Sequence, residues 1–298
     1  VGHTPKGAMV AMMAALLART PHRVYYRHGL IYTTATGLRR TLLKTVERLT
    51  SLCATDIVNV SPSLSRLAVK DHLNPDSKQT VIGKGTCGGI DTQTLFNPAL
   101  IDPTRLENLR QQLGISSDHY VIGFCGRLCR DKGIVELIEG FETFKKNNPG
   151  TAARLLLIGR FDERDALDPQ TKEKIINSPD IIATGAVDHA ILPHYYALMD
   201  VFVFPSYREG FGMCVIEASA MQIPVLVSRS HGCIDSIQEH HTGEYIDIAP
   251  EAIAKGIEAM TDPVRKTTYG QNGRQWTSLN FDFAKLWPKI KEFYNGLR

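Results

Sequence analysis

The runs Val121-Ile-Gly-Phe-Cys-Gly126 and Arg154-Leu-Leu-Leu-Ile-Gly159 decide the fold, because neither alternates apolar with polar residues. A strand with one wet face shows that alternation, and a strand covered on both faces does not. Three more runs behave alike: Asp180-Ile-Ile-Ala-Thr-Gly185, Val201-Phe-Val-Phe-Pro205 and Pro224-Val-Leu-Val-Ser228. Helical patterns separate them. Gly133 to Lys146 keeps Ile134, Leu137, Ile138, Phe141 and Phe144 on one face, and Asn147-Asn148-Pro149-Gly150 stops it. Leu192 to Met199 and Gly212 to Met221 read as two further helices. Buried strands alternating with helices predict a parallel sheet covered on both sides, an α/β domain of the Rossmann-like, doubly wound kind. Ligands of such domains lie beyond the carboxyl ends of the strands, so the loops after Gly126, Gly159, Gly185 and Pro205 are expected to share one rim.

Toward the amino end the pattern thins. A helix (Ala8 to Ala18), a short strand (Val24 to Arg27), a basic helix (Leu38 to Cys53) and a strand (Asp56 to Val60) make only part of a second βα domain. Earlier strands are expected to be missing, in keeping with the absence of an initiator Met. The expected division is residues 1–95 as a partial amino-terminal domain and 96–280 as a complete ligand-binding domain. Residues 281–298 are expected to form a helix packing back toward the first domain, with Phe283, Leu286, Trp287, Ile290 and Phe293 on its apolar side.

A chain of 298 residues suits two domains facing a cleft. It is 43% hydrophobic and 22% charged, and no apolar run approaches the roughly 20 residues of a spanning helix. A formal charge of +3 argues against a nucleic-acid binder, which concentrates Lys and Arg on a strongly basic face. Cys53, Cys87, Cys125, Cys129, Cys214 and Cys233 follow neither a disulfide framework nor a zinc-site spacing, so reduced thiols and a cytoplasmic location are expected. No signal peptide is read at the start.

The chemistry concentrates in Glu209-Gly-Phe-Gly-Met-Cys-Val-Ile-Glu217. Gly210 and Gly212 let backbone N–H groups approach an anion at a helix start, which suits a phosphate. Glu217, about a turn and a half into the helix, is placed to accept hydrogen bonds from two ribose hydroxyls, and Glu209 to meet a sugar. Gly126-Arg127-Leu-Cys-Arg130-Asp131-Lys132-Gly133 brings cations to the end of the first strand, where Arg127 and Lys132 can neutralise a diphosphate. The chain has no Asp-x-Asp pair of the kind that holds a divalent ion there, so neither metal nor other cofactor is expected. Each residue taken alone also fits a surface charge; the two motifs together favour a site.

Gly126-Arg-Leu with Lys132-Gly133, then Pro205-Ser-Tyr-Arg-Glu-Gly-Phe-Gly and Glu217-Ala, resemble family 4 glycosyltransferases of the GT-B fold, over roughly residues 80 to 295. The resemblance implies two Rossmann-like domains and a retaining transfer from a nucleotide diphosphate sugar. It places Glu209 at the sugar, Glu217 on the ribose, and Arg127 and Lys132 on the diphosphate. Gly126, Gly185, Gly210, Phe211, Gly212, Met213 and Cys214 complete the expected donor site. His28, in Arg27-His28-Gly29, resembles the family's His facing the reacting sugar; His3 and Lys6, in His3-Thr-Pro-Lys6-Gly, match a further cleft motif on the acceptor side. Gly89-Ile-Asp91 to Phe96-Asn-Pro98 resembles the interdomain segment, with one additional residue before the Phe.

The expected function is metal-independent hexosyl transfer in polysaccharide or glycan biosynthesis, from a donor taken by family habit to be a UDP-sugar. The acceptor is expected to be a saccharide or lipid-linked saccharide of the bacterial surface. Charge builds on the leaving diphosphate, where Arg127, Lys132 and the helix start are already aimed. With no carboxylate assigned to the attacking face, the resemblance implies a front-face displacement in which the leaving phosphate assists deprotonation of the acceptor. Two alternatives stay open: a nucleotide-sugar epimerase, which interconverts donors without an acceptor, and a non-catalytic nucleotide-binding module. Residues 37–52 separate Leu42, Leu43, Val46 and Leu49 from Arg39, Arg40, Lys44 and Arg48. That helix reads either as an ordinary domain helix with a solvated basic face or as a peripheral contact with an anionic membrane.

Overall fold

The computed structural model describes residues 1–86 and 88–297; Cys87 and Arg298 lie outside them. The amino-terminal part carries β1 (Gly2–His3), α1 (Pro5–Leu17), β2 (Val24–Arg27), α2 (Gly37–Cys53), β3 (Asp56–Asn59), α3 (Pro62–Lys70) and β4 (Gln79–Thr80). Its four strands are parallel, in the order β1-β2-β3-β4.

The larger part begins with α4 (Pro103–Gln112) and β5 (Tyr120–Cys125), followed by α5 (Ile134–Asn147), β6 (Ala153–Ile158), α6 (Pro169–Asn177) and β7 (Ile181–Ala183). The chain then returns to the middle of the sheet with α7 (Leu192–Tyr196), β8 (Val201–Phe204), α8 (Met213–Ala220), β9 (Val225–Ser228) and β10 (Gly243–Ile246), and closes with α9 (Pro250–Ala259), α10 (Pro263–Asn280) and α11 (Phe283–Gly296). The order is β10-β9-β8-β5-β6-β7, all parallel. Chain order reverses between β5 and β8, and a doubly wound sheet opens its ligand crevice at such a reversal.

The five strands expected from apolar runs form within a residue or two of their boundaries; in four of them Val121, Ile122, Leu155 to Leu157, Val201 to Val203 and Val225 to Val227 find apolar cover on both faces, while β7 lies at the sheet edge. In α5 the five expected side chains are buried, a gain of roughly 1.5–3 kcal/mol each. β10 was not read from the sequence, since Gly243-Glu-Tyr-Ile246 at the sheet edge has no continuous apolar run.

The amino-terminal sheet holds a polar core under α2. Arg27 is fully buried and donates to Glu47 (2.8 Å), Asn59 (2.9 Å), Ser51 (2.8 Å) and Asn74 (2.9 Å). A buried guanidinium must find such partners; removing one ionic partner of a buried pair costs about 3–5 kcal/mol. This requirement gives much of the inner face of α2 to polar residues. Glu47, Thr50 and Ser51 face inward, while Leu38, Leu42, Leu49 and Leu52 stand 86%, 62%, 54% and 69% exposed. The basic face is outward as expected, with Arg39, Arg40 and Arg48 exposed, and Leu43 and Val46 are half-buried, Leu43 against the core. The expectation is corrected for Leu42 and Leu49, which face solvent because the partners of Arg27 take the inner face.

The two parts meet through long-range polar contacts. The Ser63 N–H donates to Asp235 (2.8 Å), and the Gly232 N–H to the Ser63 hydroxyl (2.7 Å). The interdomain segment is stitched to the start of α11: the Ile90 N–H donates to the Phe281 carbonyl and the Phe283 N–H to the Ile90 carbonyl. Along α11, Leu286 is buried and Ile290 and Phe293 pack on the core. Trp287, expected on the apolar side, is instead 58% exposed, stacked on Phe283 and donating its indole N–H to the Gly88 carbonyl. Its amphipathic ring is satisfied at the surface.

Candidate active site

At the reversal point, the strand ends of β5 and β8 bring together residues that are about 80 positions apart in the chain. Cys125 and Gly126 end β5; a short turn, Arg130–Lys132, then lifts Lys132 into the crevice, closed by Gly133 in the left-handed region (φ 67°). Phe204 ends β8, and Ser206 to Phe211 loop over the crevice before Gly212 (φ 81°) caps the start of α8 at Met213. At that φ a side chain is strained, and the first N–H groups of α8 are left facing the crevice, as at any helix start.

These elements enclose a cavity of about 230 Å³. Lys132, Glu209, His28 and the α8 start line it, together with Gly126 and Phe211. Gly210, Gly212, Met213 and Cys214, all expected in the donor site, lie on the same wall. Lys132 is buried and its ammonium pairs with Glu209, which also accepts from the Ser206 hydroxyl (3.3 Å). The ammonium sits 5.5 Å from the Phe204 ring centroid. Such a pair neutralises both charges where water is scarce, and an anionic ligand can take over the lysine.

His28 enters from the amino-terminal half. Its Nε2 lies 2.9 Å from His3 Nδ1, and both rings stack with Tyr26, at centroid distances of 5.4 and 5.2 Å. Burial, then repulsion from His3, lowers the His28 pKa, so the ring is neutral at pH 7. His3 therefore borders the cavity through His28. Lys6 is exposed on the first turn of α1 and does not line it.

Three expected residues sit apart from this cavity. Glu217 is buried one turn further along α8, accepts from the Tyr196 hydroxyl (2.8 Å) and lies 4.0 Å from His189. Burial raises its pKa against the smaller opposing effects of Tyr196 and His189. Arg127 turns away from Lys132 and pairs with Asp162, facing a neighbouring cavity. Gly185, at the end of β7, accepts from the Gly159 N–H (2.9 Å), which joins those two strand ends on the expected rim. Tyr196, His189 and Asp162 were missed because each acts through a partner far along the chain. Cys125, which also lines the cavity, carried no signal beyond closing an apolar strand. The Cys214 thiol beside it has its pKa raised by their hydrogen bond and by burial. The five described cysteines are free.

The chain is similar to known proteins in sequence and in fold. The sequence model of the family "Glycosyl transferases group 1" matches residues 106–276, more than half of the chain. The capsular polysaccharide biosynthesis glycosyltransferase CapM of Staphylococcus aureus is 33% identical over 294 residues, covering 98% of this chain and 75% of CapM. A GDP-mannose-dependent alpha-(1-6)-phosphatidylinositol monomannoside mannosyltransferase of Mycolicibacterium smegmatis is 27% identical, over 70% of this chain and 55% of that protein. Among solved structures, Anabaena HepE in complex with UDP and glucose superposes with a TM-score of 0.82 at 21% identity, covering 98% of this chain and 76% of HepE. The GT-B fold, two parallel-sheet Rossmann-like domains, is thereby shown.

Proposed function

The chain belongs to the glycosyl transferases of group 1, and from that premise we propose that it moves a hexose from a nucleotide diphosphate donor to a saccharide acceptor, with retention at the anomeric carbon and without a metal ion. The convergence of Lys132, Glu209, His28 and the α8 start on one cavity carries this reading. A donor diphosphate entering there meets the α8 N–H groups and takes Lys132 from Glu209, and the freed carboxylate faces the sugar. Neutral His28 offers a hydrogen bond to the sugar from the other domain. Ribose is assigned to Glu217, beyond Met213 and Cys214 on α8. UDP is the preferred nucleotide, supported by the HepE complex; the mycobacterial relative makes GDP the competitor. CapM's capsular role supports a polysaccharide or lipid-linked saccharide acceptor. No helix among the described residues is long and apolar enough to cross a membrane. The outward leucines of α2, flanked by Arg39 and Arg48, support a peripheral contact with an anionic bilayer.

The test is transfer itself. The chain, with UDP- and GDP-sugars and an acceptor library in EDTA, is expected to yield an α-linked product from an α-linked donor by NMR. Lys132→Ala is expected to lower kcat/KM by roughly 10²-fold and to weaken nucleotide diphosphate binding, because the diphosphate loses its cation and meets an unpaired Glu209. Interconversion of donors without acceptor would instead favour an epimerase, and unchanged transfer by Lys132→Ala would remove the assigned mechanism.

A further inference from the structure

Beside the donor cavity lies a second one of about 650 Å³, between the two halves of the molecule. Five arginines line it: Arg39 from α2, and Arg127, Arg130, Arg164 and Arg208 from the larger domain. Only two aspartates, Asp131 and Asp165, share the wall. Arg208 is held by Asp131 (2.5 Å), and Arg127 pairs with Asp162, which Arg164 also approaches (3.6 Å). Arg39 and Arg130 are exposed and, among the described residues, have no carboxylate partner. Guanidinium groups left unpaired around a concave wall raise the local anion concentration and offer forked donors to phosphate oxygens.

A second observation points the same way. Thr34 and Ala35 of the wall lead straight into α2, a helix of 17 residues whose N-cap, Thr36, makes no side-chain cap hydrogen bond and whose first turn holds no acidic residue. An uncapped helix start leaves its N–H groups free and adds partial positive charge beside the cavity. The cavity also adjoins a smaller one that reaches Glu209. This neighbour, about 240 Å³ and lined by Glu209 and His231, shares Thr33, Tyr207 and Arg208 with it. Lys132, the cation of the donor cavity, faces neither of them.

We propose that this arginine-lined cavity binds a phosphoryl or diphosphoryl group carried by the acceptor, with Arg39 and Arg130 as its free cations and the saccharide reaching Glu209 through the shared wall. The proposal rests on the sugar transfer inferred above and adds the acceptor's chemical class. The α2 leucines begin at Leu38, next to Arg39, so a lipid on the far side of the phosphate would leave the cavity along an apolar face.

The experiment titrates the full chain with inorganic pyrophosphate by calorimetry, alone and with the donor site saturated by UDP, or by GDP where UDP does not bind. Pyrophosphate is expected to keep a binding site under saturation. The Arg39→Ala/Arg130→Ala double variant is expected to weaken that remaining site by about tenfold or more while its nucleotide affinity stays unchanged. Both side chains are exposed, and circular dichroism of the variant confirms that it is folded. Complete loss of pyrophosphate binding under nucleotide saturation, or an unaltered double variant, overturns the proposal. Absence of any nucleotide binding would instead count against the donor reading and leave the pyrophosphate comparison valid. Farnesyl diphosphate separates the sources: tighter binding than pyrophosphate assigns the group to a lipid-linked acceptor, equal binding to a soluble sugar phosphate, and failure to compete with pyrophosphate overturns an acceptor role.

Discussion

Glu209 and Glu217 stand eight positions apart in the chain and in opposite surroundings in space. Glu209 faces the cavity and is neutralised by Lys132, whereas Glu217 is buried against Tyr196 with its pKa raised by desolvation. At low pH the Glu217 carboxyl is protonated in both folded and unfolded protein, and as pH rises through its folded pKa the native state loses stability. Glu217→Gln escapes that loss. Its melting temperature should equal that of the unaltered protein near about pH 4 and exceed it near about pH 8, while nucleotide affinity falls because the ribose loses its carboxylate. A uniform drop in melting temperature would show that the carboxylate is needed by the fold instead. His28 offers a second pH reading. Its lowered pKa comes partly from His3, so His3→Asn should raise it and move the acid limb of kcat/KM to higher pH; an unmoved limb would separate His28 from the reaction.

At the scale of elements, α2 carries the clearest departure from pattern reading. Its leucine stripe is genuine, and hydrophobic periodicity alone points it inward. The decisive residue lies in another element: Arg27 of β2, buried without access to water, draws Glu47 and Ser51 to the inner face and sends Leu38, Leu42, Leu49 and Leu52 outward. A bilayer contact then has a concrete form. Leu42→Ser/Leu49→Ser should reduce sedimentation with phosphatidylglycerol-containing vesicles severalfold without lowering the melting temperature, since both side chains are already solvated. A marked loss of stability would mean that these leucines are covered in the native protein. By contrast, α5 and β5 form where their sequences alone place them, because each is embedded in apolar cover supplied by its own domain.

For the whole molecule, the two halves come closest to the reacting centre where Gly210 meets His28. Gly210 of the larger domain lies against the His28 backbone, and a Cβ there would collide with the His28 carbonyl oxygen. Gly210→Ala should therefore hold the halves apart, seen as an increased radius of gyration by small-angle scattering and a large loss of kcat. Normal transfer by this variant would show that the approach of His28 to Glu209 is not required.

What the amino-acid order determined by itself is the larger sheet, most of its strands and helices, and the two motifs that line the cavity proposed for the donor. Those features are encoded within segments, as runs, periods and short spacings that secondary structure converts directly into geometry. Only the tertiary structure decided which charges pair, which face of α2 meets water, and that Arg127 lines the arginine-rich cavity while Lys132 lines its neighbour. These outcomes depend on partners in other elements, such as Ser63 and Asp235, 172 positions apart. A buried charge is satisfied by whatever the packed chain brings within reach, and local pattern carries no record of that.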